Sequence, residues 1–314
     1  MHHVFGPVPS RRLGQSLGID PVVPKTCNWN CVYCQLGRST PLVAERREYV
    51  PAEAIVAEVA ERLQHYGGRI DWVTFVGSGE TTLHSRLGWM IRQVKALSEI
   101  PVAVITNGSL LYLPEVREAL AAADAVLPTL DAGTPELYRK INRPWPEPDF
   151  ATYFQGLVDF RAMYHGHYWL EVMLVRGMNT TEEALRALAA QITRIRPDKV
   201  HLTLPERPPA EPWVQPPDKE GLMRALAILG EVAEVVHPAG GAFDLSGYDD
   251  PAQAVLAVLA RHPMRESEIA AALARWGGDA VQRTLKALQR SGQVQVLERY
   301  GQRFWALAQA RYAE

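Results

Sequence analysis

From Ser16 to Pro238, apolar and β-branched runs alternate with amphipathic stretches, the pattern of parallel strands joined by crossover helices. Six runs read as strands: residues 16–20, 71–76, 102–106, 125–130, 169–175 and 199–204. The later ones are almost wholly apolar, as strands buried on both faces are. Between them, residues 53–66 place Ile55, Val56, Val59 and Leu63 near helical spacing behind Pro51, where proline suits a first turn. Residues 87–97, 114–122, 150–163, 182–195 and 219–236 read as the remaining helices. Six strand-helix units rather than eight predict an α/β fold, a partial (β/α)6 TIM-like barrel open on one side. Its chemistry is expected at the carboxyl ends of the strands.

Glycines 240, 241 and 247 mark a boundary near the end of this pattern. The expected organisation is a barrel over residues 1–238, a linker over 239–250 and a small C-terminal domain over 251–314. In the last, residues 251–260, 265–274 and 279–290 read as three helices, and 293–297 with 303–307 as a hairpin. That order predicts a winged-helix domain. Two proline-rich loops, residues 143–148 and 205–217, follow strands or short helices. They read either as rims of the barrel mouth or as stiff surface linkers.

Composition changes little: 47% hydrophobic and 22% charged residues are ordinary for a globular chain with room for one large core and an appended domain. A net charge of −2 neither draws the molecule to nucleic acid nor excludes that partner. No stretch offers the roughly 18 apolar residues of a membrane span, and the opening MHHVFGPVPSRRLG lacks an apolar signal core. The expectation is a soluble, cytoplasmic protein with no membrane partner.

The three cysteines are more informative, since they fall within eight residues and an odd trio closes no disulfide framework. Cys27, Cys31 and Cys34 are spaced C-x3-C-x2-C, which lets one loop hold three irons of a cubane and leaves the fourth without a thiolate. Structural zinc is the alternative, but it needs a second ligand pair, and only a distant histidine could close such a site.

With aromatic Tyr33 ahead of Cys34, this motif resembles the radical S-adenosylmethionine (SAM) superfamily signature. The resemblance implies a [4Fe-4S] cluster on the three cysteines, SAM chelated at the open iron, and Tyr33 beside its adenine. The turn TFVGSGE resembles the family's Gly-Gly-Glu element. It brings Gly77, Gly79 and Glu80 into the expected site, glycines leaving room for backbone to approach the methionyl ammonium. It departs from relatives that carry proline after the glutamate. Asn107, in Thr106-Asn107-Gly108, resembles an element near the nucleoside. Asp131 stands where a ribose hydroxyl or substrate would be held, or else caps a following helix. The opening GPVPSRRLG and the later RPPAE look like small iron-sulfur oxidoreductases related to the wyosine tRNA-modifying enzymes. The implied reaction is reductive cleavage of SAM by an electron from an external flavodoxin or ferredoxin. The resulting 5′-deoxyadenosyl radical takes a hydrogen atom from the substrate.

With all three thiols committed, none is left for an auxiliary cluster, a methylated cysteine or a thiyl relay. For substrate contacts, Arg143, Arg207 and also Arg176 and Glu206 lie on loops over the expected mouth, and Glu171 could point inward from the fifth strand. The alternative for Glu171 is an outward residue paired with a helix arginine. Arg11 and Arg12 could clamp an anion or lie solvated. From Arg261 onward nine basic residues face five acidic ones. The third helix gathers Gln282, Arg283, Lys286, Gln289 and Arg290 opposite Val281, Leu285 and Leu288. That face suits a nucleic acid, RNA foremost, while the region could instead bind a protein or peptide or merely dock on its own barrel. An iron-sulfur transcription regulator is the competing non-enzyme reading, although a regulator has no need of a barrel.

Overall fold

The computed structural model describes residues 2–66, 68–236, 245 and 248–313. Of the expected linker, residues 239–244, 246 and 247 lie outside the described residues.

The chain opens with an antiparallel pair, β1 (Val4–Ser10) and β2 (Gly14–Ile19). Strands β3 (Trp72–Phe75), β4 (Val102–Thr106), β5 (Ala125–Pro128), β6 (His167–Met173), β7 (Lys199–Thr203) and β8 (Ala233–Val235) follow. From β2 to β8 each pairs in parallel with the next, so strand order equals chain order. The expected six strands are all present, and the sheet carries two more, one at each edge. Both were hidden by local chemistry. β1 contains Gly6, Pro7 and Pro9, residues that only an edge strand tolerates. β8 falls inside the helix expected over 219–236. That helix stops at Leu229 because Gly230 adopts φ +79°, a left-handed turn that favours glycine. The three residues of β8 then pair with Val200–Leu202.

The crossovers are α1 (Ala52–Tyr66), α2 (Leu87–Leu97), α3 (Pro114–Leu120), α4 (Pro135–Ile141), α5 (Phe150–Met163), α6 (Glu182–Ile195) and α7 (Lys219–Leu229). Side-chain caps start four of them, from Thr134, Asp149, Thr181 and Asp218, each satisfying an N–H that the first turn leaves open. Their apolar faces and one face of the strands form the main core, with Val73, Phe75, Val104, Val126, Leu170, Val200 and Leu202 buried in the sheet, and the other face carries a smaller cluster of Leu13, Ala103, Ala125 and Leu127. The sheet is consistent with a partial barrel, and no pairing joins β1 to β8 among the described residues. None of the described helices is long and apolar enough to cross a membrane.

The C-terminal region comprises α8 (Pro251–Leu259), α9 (Glu266–Ala272) and α10 (Gly278–Arg290) with strands β9 (Met264–Arg265), β10 (Val294–Arg299) and β11 (Gln302–Leu307). The expected hairpin is present as β10–β11, and β9 adds a third antiparallel strand on β11. A separate core of Val255, Ile269, Val281, Leu285, Leu288 and Trp305 holds this region together. It docks on the loops at the carboxyl ends of the sheet through Arg299, which donates to the Pro205 and Val214 carbonyls at 2.7 and 3.1 Å. The chain beyond β11 runs back along the cysteine loop, where the Tyr312 hydroxyl donates to the Gln35 carbonyl at 2.7 Å.

Candidate active site

The cysteine loop leaves the end of β2, where strand carboxyl ends expose backbone to a ligand. It is pinned on two sides. The Val32 and Trp145 amides donate to the carbonyls of Ile141 and Asn28 at 2.9 and 2.7 Å, so the proline loop 143–148 braces the cysteines rather than rimming the mouth. On the other side, Lys25 N donates to Ser78 O and Glu80 N to Thr26 O, both at 2.8 Å. Gly79 is needed for that second contact, because a Cβ there would sit 1.9 Å from the Thr26 oxygen. The glycine turn therefore serves first to seat the loop ahead of Cys27. Trp29 fills the space beneath, edge-on to Tyr138 and Tyr153.

The three cysteines are unbridged, and each Sγ has a donor nearby. Trp29 N approaches Cys27 at 3.4 Å, the Asn142 amide Cys31 at 3.7 Å, and Lys25 Nζ Cys34 at 3.4 Å. Burial, reinforced by neighbouring acidic groups, pushes the Cys27 thiol up to about 12 and raises Cys31 as well. A bound cation reverses that balance and holds them as thiolates, with protons released on binding. Among the described residues no three His, Cys, Asp or Glu side chains converge on one ion, which the zinc alternative requires. Thiolates on separate corners of a cubane need no common point, and donors around each sulfur are the setting that orients such ligands. The donor set fits a [4Fe-4S] cluster.

Two buried carboxylates organise the ground behind the cysteines. Glu80 accepts from the Thr82 amide and hydroxyl, the Thr106 hydroxyl and the Asn107 amide at 2.9, 2.5, 2.5 and 2.7 Å. Asn107 in turn donates to Asn28 at 2.8 Å and lies 4.0 Å from the Cys27 sulfur. Asp131 accepts from the Tyr33 hydroxyl at 2.5 Å, the Asn142 amide at 2.6 Å and the Met173 amide at 2.7 Å. Desolvation raises both carboxyls, Asp131 to about 6, against the pull of these hydrogen bonds. The helix-cap alternative for Asp131 is overturned, since Thr134 caps α4 by accepting from Leu137 N at 3.3 Å.

A cavity of about 470 Å³ opens beside this ground, and Cys31, Tyr33, Cys34 and Gly77 are part of its lining. Glu171, Met173 and the arginines 11, 12, 207 and 261 line it as well. Glu171 pairs with Arg12 at 2.6 Å. The alternative of an outward residue paired with a helix arginine is thereby corrected, because the partner stands in the β1–β2 turn and both side chains line the cavity. Arg207 lines the cavity, and Arg143 does not. Arg143 pairs with Glu211 at 2.6 Å, a carboxylate that also holds Arg38 at 2.9 Å. Arg176 binds the Pro216 carbonyl at 2.9 Å, away from the cavity lining. Lys25, Asn142, Asn179 and Asp20 escaped sequence reasoning, since each is an isolated polar residue whose partners come from distant segments.

A family model described as the Radical SAM superfamily matches residues 22–190, more than half of the chain. A UPF0026 protein of Methanocaldococcus jannaschii is 36% identical over 84% of this chain and 84% of its own length. A protein of Brachyspira hyodysenteriae named GTPase Obg is 44% identical over 65% of this chain, which spans 30% of that relative's length. In fold, the chain is similar to a radical SAM methyltransferase of Sphaerobacter thermophilus, with a TM-score of 0.55 at 17% identity over 70% of this chain and 66% of that one. The cysteine loop, the glycine turn and these likenesses agree: the chain belongs to the radical SAM superfamily and to its UPF0026 members, enzymes that use a [4Fe-4S] cluster and S-adenosylmethionine.

Proposed function

We propose that this chain is a single-cluster radical SAM enzyme that modifies an RNA, most directly a tRNA. The observation that carries the chemistry is one cavity whose lining includes Cys31, Tyr33, Cys34 and Gly77 together with Glu171 and four arginines. Cys27, Cys31 and Cys34 would hold the cluster, which with SAM and an electron from an external flavodoxin or ferredoxin would supply reductive cleavage of SAM and hydrogen-atom abstraction from the substrate. The protein's own part is positional. Asp131 fixes the Tyr33 ring that we assign to the adenine side. Glu80 fixes the turn that bears Gly77 and Gly79, and through its bond to the Asn107 amide it sets the asparagine that reaches towards Cys27. The arginines and glutamates of the lining hold the substrate, and the docked C-terminal region limits water at the mouth.

The RNA assignment rests on α10. Gln282, Arg283, Lys286, Gln289 and Arg290 are all exposed there, whereas Val281, Leu285 and Leu288 are buried. We read the C-terminal region as a winged helix presenting that face. A second reading, a peptide or small-metabolite substrate, draws on the cavity volume of about 470 Å³, within the usual range for small-molecule sites.

The first test is anaerobic reconstitution followed by dithionite and SAM, with 5′-deoxyadenosine as the expected product. Zinc in place of iron, a cubane closed by a fourth side chain, or an iron-loaded protein that binds DNA and releases no 5′-deoxyadenosine overturns the enzyme reading. For the substrate, filter binding should favour tRNA over polyanion controls. Deuterium transfer into 5′-deoxyadenosine from labelled peptides or metabolites, but not from RNA, replaces RNA with the second reading.

A further inference from the structure

We propose that the arginine cluster lining this cavity is an anion subsite, and that the substrate enters with a phosphate or carboxylate group bound to it. The proposal deepens the functional reading above, whose cavity it shares. Four guanidiniums, of Arg11, Arg12, Arg207 and Arg261, line this single cavity. They arrive from three places: the β1–β2 turn, the loop after β7 and the end of α8.

The carboxylates on the same lining are Glu171 and Glu206. They pair with Arg12 at 2.6 Å and Arg11 at 3.1 Å. The other two guanidiniums rest on backbone: Arg207 on the Pro263 carbonyl and Arg261 on the His2 carbonyl. Their nearest carboxylates, Glu268 at 4.0 Å and Asp20 at 3.8 Å, do not line the cavity. Counting lining charges, four positive groups face two negative ones and leave an excess of two.

That excess is held in a poorly solvated place. Desolvation lowers Arg207 to about 10 against the attraction of Glu268, with Arg11 and Arg265 adding repulsion. Burial and the arginines 207, 261 and 11 keep His262 neutral on the same lining. Arg12 Nε is buried without a hydrogen-bond partner, so its single contact with Glu171 is not the bidentate fork a guanidinium can make. The carboxylates that offset Arg207 and Arg261 stand at 4.0 and 3.8 Å, beyond hydrogen-bond reach; loosely matched buried cations are costly, and an anion that meets the guanidiniums directly offsets that cost. Planar guanidiniums suit the oxygens of phosphate and carboxylate alike. A phosphate would come from an RNA backbone, and a carboxylate from a peptide terminus or an organic acid.

The test titrates the reconstituted, SAM-loaded protein by calorimetry with pyrophosphate and, separately, malonate, at ionic strength held constant with NaCl. Saturable binding of either is expected, and the tighter of the two identifies the source as phosphate or carboxylate. Arg207→Gln should weaken that binding about tenfold. Arg11→Gln, at a more exposed position, should weaken it several-fold and covers the case in which the first variant does not fold. Binding no better than chloride, binding unchanged in both folded variants, or competition by SAM for the same site overturns the proposal. Cys27→Ser separates the two claims, because it should lose iron and 5′-deoxyadenosine formation yet still bind the anion.

Discussion

Two sets of polar groups around the cavity are built on different principles. Behind the cysteines, the two carboxylates are fully engaged, and Asn142 Oδ1 and the Ser78 and Tyr138 hydroxyls are the buried atoms left without a hydrogen-bond partner there among the described residues. Asp131 has three donors, Glu80 has four, and Asn179 ties the Asp131 and Met173 carbonyls together at 2.8 Å each. Such closed networks leave side chains one arrangement and keep it whether or not a ligand is present. The arginines of the same lining, from the β1–β2 turn, the loop after β7 and the end of α8, make ion pairs or lean on carbonyls. On the proposal above, those are the contacts that a charged ligand replaces. The difference teaches that a fixed geometry is needed where cofactors are oriented, and exchangeable charge where a substrate enters and leaves.

The largest effects should fall on the closed network. Asp131→Ala strands the Tyr33 hydroxyl, the Asn142 amide and the Met173 amide, for a loss of about 3 kcal/mol or more in urea unfolding. A midpoint indistinguishable from the parent would mean the network is not closed. Gly79→Ala forces a Cβ against the Thr26 carbonyl, and such overpacking costs about 1–3 kcal/mol. Iron content after reconstitution should fall with it, because the loop ahead of Cys27 must shift. Among the exchangeable contacts, Glu171→Gln should cost less, about 1 kcal/mol, since the amide still contacts Arg12. It should also tighten pyrophosphate binding several-fold; weaker binding would show that Glu171 assembles the subsite rather than occupying it.

The smallest effect concerns His201, buried in β7 behind the same Arg12. Desolvation first, and Arg12 next, lower it to about 4, against its ion pair with the half-exposed Glu234 at 3.1 Å. The unfolded chain therefore binds this proton more readily. The stabilisation is fully present above about pH 6.5, the usual histidine value, and is lost as pH falls towards about 4. His201→Gln should flatten urea midpoints across that window. An identical acid slope in both proteins would place the acid sensitivity elsewhere.

The cysteine spacing, the glycine turn and six of the eight sheet strands were legible because each is a local pattern: a fixed offset, a turn chemistry or an apolar run. The helices over 87–97, 150–163 and 182–195 were legible to the residue for the same reason. The edge strands were not. Prolines and glycines in β1 argue against a strand unless its outer edge is known to be unpaired. Helix α4 was missed because its seven residues follow a proline with little room for periodicity. Arg143 and Glu171 show the limit within the site. Both are charged residues at plausible positions, and only their partners, Glu211 for one and Arg12 for the other, separate a brace of the cysteine loop from a cavity group.

By itself the sequence determined that three thiols within eight residues belong to one local site, and its resemblance to the radical SAM signature implied the cofactors. It also determined the alternation of strands and helices, which hydrophobic periodicity imposes locally. Tertiary structure alone decided which charges share the cavity. Arg11 and Glu206 stand 195 positions apart, and electrostatic pairing at that separation depends on how the sheet and the C-terminal region dock, which no local pattern encodes.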